Sequence, residues 1–463
     1  MLRREPGGCP LFLFFASSAL AGGYFFSDAG IVATGRGGAW IAGANNQFAQ
    51  YHNPAGLIRV RRPTVNVGWS GVQQNVRFSR LRDEPEDGQD PFYPTVENQA
   101  PPFDIPQIGF VSPLPGRLGD RVVVAVGFIS PFAPSSLYPE EGPQRYTIKD
   151  TGIYQFGVGP SVAVKLHPML TLGGGVQWSY LQLSETIDIT VNGFDDPTGD
   201  IAVEAAVVDP FTLTGNVGLL FDPHEMITVG LSFTPGSSYE ARGEGTLDFT
   251  DNAFEILLDQ SIYTDDDVAL AISLPDIVRG GVALRPVPTL EIEAAVVWQG
   301  WSSLEDIEIT DIDVEVATDS ILIPEDQRTV DERIVLPAGL RDTLSLRLGA
   351  EWRVDDLLAL RVGGFRESGA LADDEVSVAL VDTTKWQLGG GASAWTKGEN
   401  FRLDLAAAAL FFPELRIRDS TVGQIDAGVL DDIEPAIVGN GDLSSNGWVV
   451  GVQGSFAFGP KRE

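Results

Sequence analysis

Most of the chain after residue 60 alternates between apolar and polar residues, in segments of about ten residues each. Alternation with period two is the pattern of a strand with one apolar face, because successive side chains point to opposite sides. Four segments show it over most of their length: 446–458, 343–353, 290–301 and 170–179. The chain is therefore predicted to be all-β, as a sandwich or as a barrel.

The position of charge separates these two architectures. The polar faces of the predicted strands carry charged residues in mid-strand, and the opposite faces are uniformly apolar. A sandwich core would reject such charges, whereas the lumen of a membrane barrel accepts them while its apolar face meets lipid. The charged residues are Glu291, Glu293, Arg347, Glu351, Arg353, Arg402 and Asp404.

The connections between strands give a strand count. Short turns at 114–120, 167–169, 222–225, 285–288, 354–357 and 396–400 alternate with long polar loops. The long loops centre on 81–104, 133–150, 191–203, 251–270, 313–336, 367–384 and 419–445. Short periplasmic turns with long outer loops indicate an antiparallel outer-membrane β-barrel of about fourteen strands.

Charge and hydropathy exclude other classes of protein. The chain has 64 acidic against 31 basic residues, a formal charge of −33, so it lacks the basic surface that binds nucleic acid. Apart from the N-terminus, the longest apolar runs, 122–129 and 405–412, have the length of strands. A chain without a spanning helix can cross a membrane only as a closed barrel.

The N-terminus is typical of a secretory signal peptide. Arg3 and Arg4 form the basic region, a short apolar stretch follows, and Ala19 and Ala21 form a small-x-small cleavage pattern. The alternative, a membrane anchor, would need about 20 apolar residues. Cleavage after Ala21 would also remove Cys9, the only cysteine, and would leave no disulfide or zinc-thiolate site.

Acidic clusters at 83–87, 265–267 and 373–375 lie in the predicted outer loops. Oxygen-rich clusters suit Ca²⁺ or Mg²⁺, but none of them has the spaced ligands of a calcium loop. We therefore interpret them as solvated loop tips, and we expect no metal site and no cofactor.

Residues 22–60 do not alternate as a strand does. They contain a glycine-rich run at 35–38, an Ala-Gly-Ala-Asn-Asn segment at 42–46, and the sequence Asn53-Pro54-Ala55-Gly56-Leu57 just before the first strand. This ordered set resembles the N-terminal hatch of the FadL-like transporters of fatty acids and hydrocarbons. Further matches are Leu274-Pro275-Asp276, the tryptophan pair at 298 and 301, and the segments 348–364 and 382–391.

The resemblance implies a domain organisation. Residues 1–21 would be the signal peptide, 22–60 a hatch that plugs the lumen, 61–458 the barrel and 459–463 a short tail. A barrel of about fourteen strands is too wide for its own side chains to fill, so such a plug has a physical role. Two features depart from the family: Asn45 and Asn46 stand where members commonly carry an acidic residue, and the tail follows the terminal aromatic strand.

The resemblance also implies a function: passive transport of long-chain fatty acids or related hydrocarbons through the bacterial outer membrane. Expected partners are the hydrophobic substrate, outer-membrane lipid and lipopolysaccharide, and the barrel assembly machinery. Expected substrate contacts are three aromatic residues at the mature N-terminus and two residues of an outer loop, namely Tyr24, Phe25, Phe26, Leu137 and Tyr138.

The apolar strand 122–129 carries a second predicted feature. Gly127 and Pro131 interrupt this strand, and glycine and proline mark bulges and lost ladder bonds, so a lateral opening of the wall is expected there. The alternative interpretation is a plain strand end before a loop.

Two other function classes compete with transport. An outer-membrane hydrolase would need a histidine beside a nucleophile, but His52 lies in the hatch sequence and His167 and His224 lie in predicted periplasmic turns. We therefore expect no catalytic residues. A structural or adhesive barrel without transport is the second alternative, and the hatch argues against it because an adhesin needs no plug.

Overall fold

The strands form one closed antiparallel barrel. The computed structural model of the chain describes residues 29–82, 85, 87–132, 135–190, 195–250, 252–253, 255, 260–304, 306–315, 329–337, 339–424 and 436–459. The strands are β1 (Thr64–Arg80), β2 (Val96–Glu97), β3 (Phe103–Pro113), β4 (Val122–Phe132), β5 (Ser135–Leu137), β6 (Asp150–His167), β7 (Leu170–Thr190), β8 (Asp200–His224), β9 (Ile227–Thr234), β10 (Ser237–Asp248), β11 (Ile262–Leu274), β12 (Ile277–Val287), β13 (Leu290–Gln299), β14 (Asp306–Glu315), β15 (Thr329–Pro337), β16 (Thr343–Arg353), β17 (Leu358–Glu367), β18 (Lys385–Trp395), β19 (Phe401–Phe411), β20 (Leu415–Ile417) and β21 (Gly441–Ala457).

Fourteen strands make the wall, in agreement with the sequence prediction. Each pairs with the next, and the ring closes where β21 pairs with β1 from Thr64↔Ala457 to Arg80↔Gly441. The order around the wall is β1, β3, β4, β6, β7, β8, β9, β12, β13, β16, β17, β18, β19 and β21. Closure leaves no free sheet edge, which satisfies the backbone hydrogen bonds of the wall in lipid.

The two faces of the wall have the predicted chemistry. Along β16, Leu344, Leu346 and Leu348 are exposed on the outside, while Ser345 and Arg347 are buried on the inside. The same alternation holds along the other wall strands. Exposed apolar side chains therefore surround the barrel as a band, which is the surface of a protein whose solvent is lipid. Among the described residues, no helix is both long and apolar enough to cross a bilayer.

The outer half of the barrel is longer than the sequence indicated. Residues 251–270 and 313–336 were predicted as loops, but β11 begins at Ile262, β14 runs to Glu315 and β15 covers 329–337. These segments continue the wall strands as a hairpin stack, in which β10 pairs with β11, β11 with β14, and β14 with β15. Polar strands are stable there because they lie beyond the apolar band, in water. Asp265-Asp266-Asp267 consequently lies within β11, and the prediction of a loop tip there was wrong.

The described part of the hatch, residues 29–60, lies inside the barrel. It contains helix α1 (Ile31–Gly35), helix α2 (Ala49–His52) and a 3₁₀ helix (Pro54–Arg59). Helix α1 contacts β17, β18, β19 and β21, and the 3₁₀ helix contacts β4, β6, β7 and β8, on the opposite side of the ring. One segment therefore spans the bore from wall to wall.

Glycines on the inner face of the wall allow this close fit. A side chain at any of them would meet hatch atoms at or inside van der Waals distance. Gly363 and Gly349 lie against the backbone of Arg36, and Gly173 lies against Pro54 and Ala55. Among the described residues, the glycines of this kind are Gly109, Gly127, Gly173, Gly218, Gly230, Gly281, Gly349, Gly363, Gly389, Gly391 and Gly451. The hatch backbone therefore packs directly on the wall backbone.

Substitution of Gly363 tests this packing. In Gly363→Val, the added Cβ would overlap the Arg36 backbone, so we expect a displaced hatch and a higher single-channel conductance in planar bilayers. Overpacking of this kind typically costs about 1–3 kcal/mol, which leaves the barrel folded. The control is Gly390→Val, on the lipid face, where the added Cβ meets only the Arg361 carbonyl at 3.6 Å. Equal conductance in both variants would contradict the packing described here.

Candidate functional site

Arg36 anchors the hatch to the wall by a buried ion pair. Its guanidinium lies 2.8 Å from Glu291 Oε1 and 3.4 Å from Glu293 Oε2, and its side chain is fully buried. Glu291 is also paired with Arg285 at 2.6 Å. Both carboxylates come from β13, so this strand is where the hatch is held by charge.

Glu293 also accepts hydrogen bonds from the hatch backbone. The N–H groups of Ile41 and Ala42 donate to Oε1 at 2.6 and 2.8 Å, and that of Gly43 donates to Oε2 at 2.8 Å. Charge-assisted hydrogen bonds are roughly twice as strong as neutral ones. A carboxylate that is wholly inaccessible to solvent is thus satisfied by three N–H groups and one guanidinium.

The predicted hatch sequence Asn53-Pro54-Ala55 has a structural role. Asn53 Oδ1 accepts from the N–H of Ala55 at 3.2 Å and so caps the 3₁₀ helix, whose first residue is Pro54. Asn53 Nδ2 donates to the carbonyls of Ile41 and Leu219, each at 3.1 Å. One side chain therefore joins two parts of the hatch to β8.

Beyond the hatch, the inner face carries a network of charges at the level of the bilayer. Arg361 lies 2.6 Å from Glu351 and 3.4 Å from Asp404, and Arg402 lies 2.7 Å from Asp404. Six of the seven charges singled out in the sequence lie on the inner face of the wall, as predicted. Arg353 is the exception, because it lies at the inner end of β16, is 42% exposed and donates to the turn carbonyls of Asp355 and Asp356. A polar bore of this kind offers no favourable path to a hydrocarbon.

The first cavity lies between the hatch and β1, β3, β4, β17, β18, β19 and β21. The space between these elements measures about 840 Å³, including parts that are open to solvent. Its walls are mainly apolar, and its one charged residue, Lys385, is paired with Asp382 at 2.9 Å and Glu367 at 3.1 Å. The apolar residues are Phe48, Val72, Ile105, Pro106, Phe128, Ile129, Phe365, Leu410, Phe412 and Val449.

The first cavity extends to the point where the ladder between β3 and β4 ends. The last pair of this ladder is Ile108↔Phe128, and the cavity is lined there by Phe128 and Pro106, which occupy outward-facing positions of their strands. The cavity therefore borders a gap in the ladder between β3 and β4.

The two residues predicted to mark a lateral opening lie next to this gap and differ in role. The pairing of β4 with β6 is irregular between Ile129 and Phe132, so Pro131 lies in the break. Gly127 is regularly paired with Gly109 and Gly159, and its missing side chain makes room for Gln50 of the hatch. The opening itself stays a prediction.

A second cavity lies on the other side of Ile129. It measures about 660 Å³, including parts that are open to solvent, and is bounded by the hatch residue Tyr51 and by strands β4 and β6 to β13. Trp301, Tyr239 and Ile277 are among its apolar and aromatic walls, and Gln155, Asn216 and Gln299 are among its polar ones. No sequence pattern predicts this cavity, because its residues come from eight separate segments of the chain.

The predicted substrate contacts of the outer loop lie elsewhere. Tyr138 is 3% exposed and packs with Ile148, Val376 and Val378 in a cluster beneath the outer loops, whereas Leu137 is 40% exposed. Neither lines the two cavities described above. Tyr24, Phe25 and Phe26 lie outside the described residues, so their role stays a prediction.

Above the cavities, an ionic cluster joins three outer loops. Arg145 lies 2.6 Å from Asp200 and 2.9 Å from Asp195, and Arg80 lies 3.0 Å from Asp195. Burial raises the pKa of Asp200 to about 6, although Arg145 opposes this shift. Burial would also raise the pKa of Asp195, but the charge of Arg80 and hydrogen bonds from Tyr93 and Arg145 lower it below the ordinary value.

Removal of the Glu293 carboxylate tests the anchor. Glu293→Ala leaves Arg36 without its buried partner and three N–H groups without an acceptor; loss of one partner of a buried pair typically costs about 3–5 kcal/mol. We expect faster hydrogen exchange at residues 36–43 and a raised conductance. The control is Glu97→Ala, since the Arg77–Glu97 pair is 61%/58% exposed and such pairs contribute about 0–1 kcal/mol. Unchanged exchange in Glu293→Ala would show that the carboxylate does not hold the hatch.

Comparison with known proteins identifies the family of this chain and solved structures with the same fold. Residues 12–458 match the family model described as outer membrane protein transport protein (OMPP1/FadL/TodX). A crystal structure of a Pseudomonas aeruginosa FadL homologue is similar, with a TM-score of 0.73 and 16% identity over 94% of this chain and 100% of that one. None of the curated proteins matches in sequence.

Two toluene transporters share the fold. The Ralstonia pickettii protein TbuX has a TM-score of 0.64 and 16% identity, over 94% of this chain and 99% of that one. The Pseudomonas putida protein TodX has a TM-score of 0.65 and 12% identity, over 92% and 97%. The chain therefore belongs to the OMPP1/FadL/TodX family of outer-membrane transport proteins, and it is a barrel of the bacterial outer membrane.

Proposed function

We propose that this protein carries hydrophobic small molecules, namely long-chain fatty acids or related hydrocarbons, by passive diffusion into the outer membrane. The observation that carries the proposal is the first cavity, which is mainly apolar, lies beside the hatch and borders the gap in the ladder between β3 and β4. Membership of the family indicates transport across the outer membrane. The apolar cavity supports hydrophobic molecules as the substrates.

The physical reason for a lateral route is the polarity of the bore. A hydrophobic molecule that crossed the lumen directly would meet the Arg361 and Arg402 ion pairs. The cavity instead buries the molecule, and this burial is favourable by about 0.8 kcal/mol of transfer free energy for each CH₂ group removed from water. The gap between β3 and β4 then opens to a medium as apolar as the cavity. No cofactor and no external energy source enter this route.

The N-terminus of the hatch is the natural gate in this proposal. Ala29 and Gly30, its first described residues, line the first cavity. Tyr24, Phe25 and Phe26 precede them by only a few residues, which supports their proposed role as substrate contacts. Leu137 and Tyr138 have less support, because neither lines a described cavity.

The competing classes have less support. A structural or adhesive barrel has no use for a mainly apolar cavity that lies beside the hatch and borders a gap in the wall. For a hydrolase, the histidines are unsuitable: His52 is buried against Trp40 and Tyr51, and His167 and His224 bond to turn N–H groups. Lipopolysaccharide and the barrel assembly machinery stay proposed partners.

A cavity-filling substitution tests the proposal. Val72→Trp places an indole in the first cavity, whereas Val67→Trp places one on the lipid face of the same strand, where Val67 is 49% exposed. We expect uptake of radiolabelled fatty acid and of toluene by expressing cells to fall by about tenfold in the first variant, equivalent to about 1.4 kcal/mol. Val67→Trp should transport normally. Wild-type uptake no greater than that of cells without the protein would reject transport altogether.

A further inference from the structure

The wall has a second gap, between β8 and the junction of β9 and β10. The ladder of β8 with β9 ends at Val217↔Phe233, and that of β8 with β10 begins at Val208↔Arg242. Between these pairs, β8 has no backbone ladder on this side. Pro235, which has no N–H group to donate, lies at the junction of β9 and β10. The N–H of the next residue, Gly236, points away from β8 and donates to Asp276 Oδ1, between β11 and β12.

Side chains close only the outer part of this gap. Asp209 Oδ2 accepts from the N–H of Glu240 at 3.1 Å and from the hydroxyl of Thr212 at 2.7 Å, and Thr212 Oγ1 lies 3.4 Å from the carbonyl oxygen of Ser238. Below them, the second cavity is lined by Thr214 and Gly215 of β8 and by residues 234, 235 and 237 opposite. Because both edges of the gap line the cavity, the cavity and the gap are continuous.

The gap faces lipid. Phe211 and Leu213, on the outer surface of β8 beside it, are 64% and 62% exposed, and Phe233 lies across the gap. Nine residues separate Gly215 from His224 at the inner end of β8. At about 3.3 Å per residue and a tilt of about 40°, this places the gap roughly 23 Å above the inner end, near the outer edge of the ~25 Å apolar band. A molecule in the second cavity could therefore exchange with the outer leaflet.

The chemistry of the second cavity differs from that of the first. Its lining contains no acidic or basic residue. Three buried amide atoms in it have no protein partner among the described residues: Gln155 Oε1, Asn216 Oδ1 and Gln299 Nε2. Buried polar atoms without a partner are costly, so a ligand that both donates and accepts a hydrogen bond would be favoured. The nearest buried charge is Arg279, which lies behind the lining, 4.8 Å from the Tyr51 ring and 3.0 Å from Thr234 Oγ1, so an ionised ligand in the cavity would have no charged group in direct contact.

We infer that the second cavity is a separate binding site for neutral hydrophobic molecules with a single hydrogen-bonding group, such as alcohols. These molecules exchange with the bilayer through the gap between β8 and the β9–β10 junction. The inference extends the proposed transport function, since it adds a second ligand class and a second lateral route to the same lumen.

The test compares adjacent positions on β8. Thr214→Trp fills the second cavity at the gap, and Leu213→Trp adds the same side chain to the lipid face. The probe is radiolabelled 1-dodecanol, measured by equilibrium binding to the full mature protein in nanodiscs, with dodecanoate for comparison. Thr214→Trp should lose about half of the bound 1-dodecanol and keep its dodecanoate binding, while Leu213→Trp should match wild type.

Val72→Trp separates this inference from the proposed function, because it blocks the first cavity only. If Thr214→Trp keeps all of the bound 1-dodecanol, the second site does not exist. Loss of bound dodecanoate in Val72→Trp would still support binding in the first cavity, and with it the proposed function. Binding of neither probe to wild type would reject both. Diffraction from a crystal soaked in 12-bromododecan-1-ol gives an independent check, since a bromine peak between Gly215 and Trp301 supports the site and its absence overturns it.

Discussion

The buried carboxylate of Glu293 fixes the hatch in the bore, and the rest of the structure depends on that position. It accepts three consecutive N–H groups of the hatch and faces Arg36. A barrel of fourteen strands is too wide to be filled by its own side chains, so some other part of the chain must occupy the bore. The glycines of the inner wall let that segment approach closely, and β13 supplies the charge that orients it.

The position of the hatch divides the lumen into a charged part and a mainly apolar part. The charged residues of β13, β16, β17 and β19 lie around the hatch, whereas the two apolar cavities lie between the hatch and the wall. Ions and hydrophobic molecules therefore meet different surfaces of the same lumen. Each cavity borders a place where a ladder of the wall ends, beside Pro106 for the first and Pro235 for the second.

Much of the fold could be predicted from the sequence because period-two alternation depends only on local pattern. The lipid-facing residues and the inner charges of β13 and β16 followed from it, and the count of about fourteen strands followed from the alternation of short turns and long loops. The strands at 262–274 and 329–337 did not, because their residues are as polar as loop residues once they extend above the bilayer.

The site was less predictable, because it depends on contacts between distant segments. Arg36 is 255 residues from Glu291, and its glycine-rich surroundings indicated only flexibility. An arginine at this position of a segment expected to be buried was nevertheless a signal that a carboxylate must meet it. Gly127 was predicted to mark a lateral opening, but its missing side chain makes room for Gln50 of the hatch. The cavities themselves are products of packing.

Single-channel conductance of the purified protein, with and without residues 22–60, tests the central claim most directly. If the hatch closes a wide polar bore, the intact barrel should conduct ions poorly and the truncated barrel should form a stable, highly conducting pore. Truncated protein that folds as a barrel but conducts no better than the intact one would contradict the account, because the bore would then be closed by something other than the hatch.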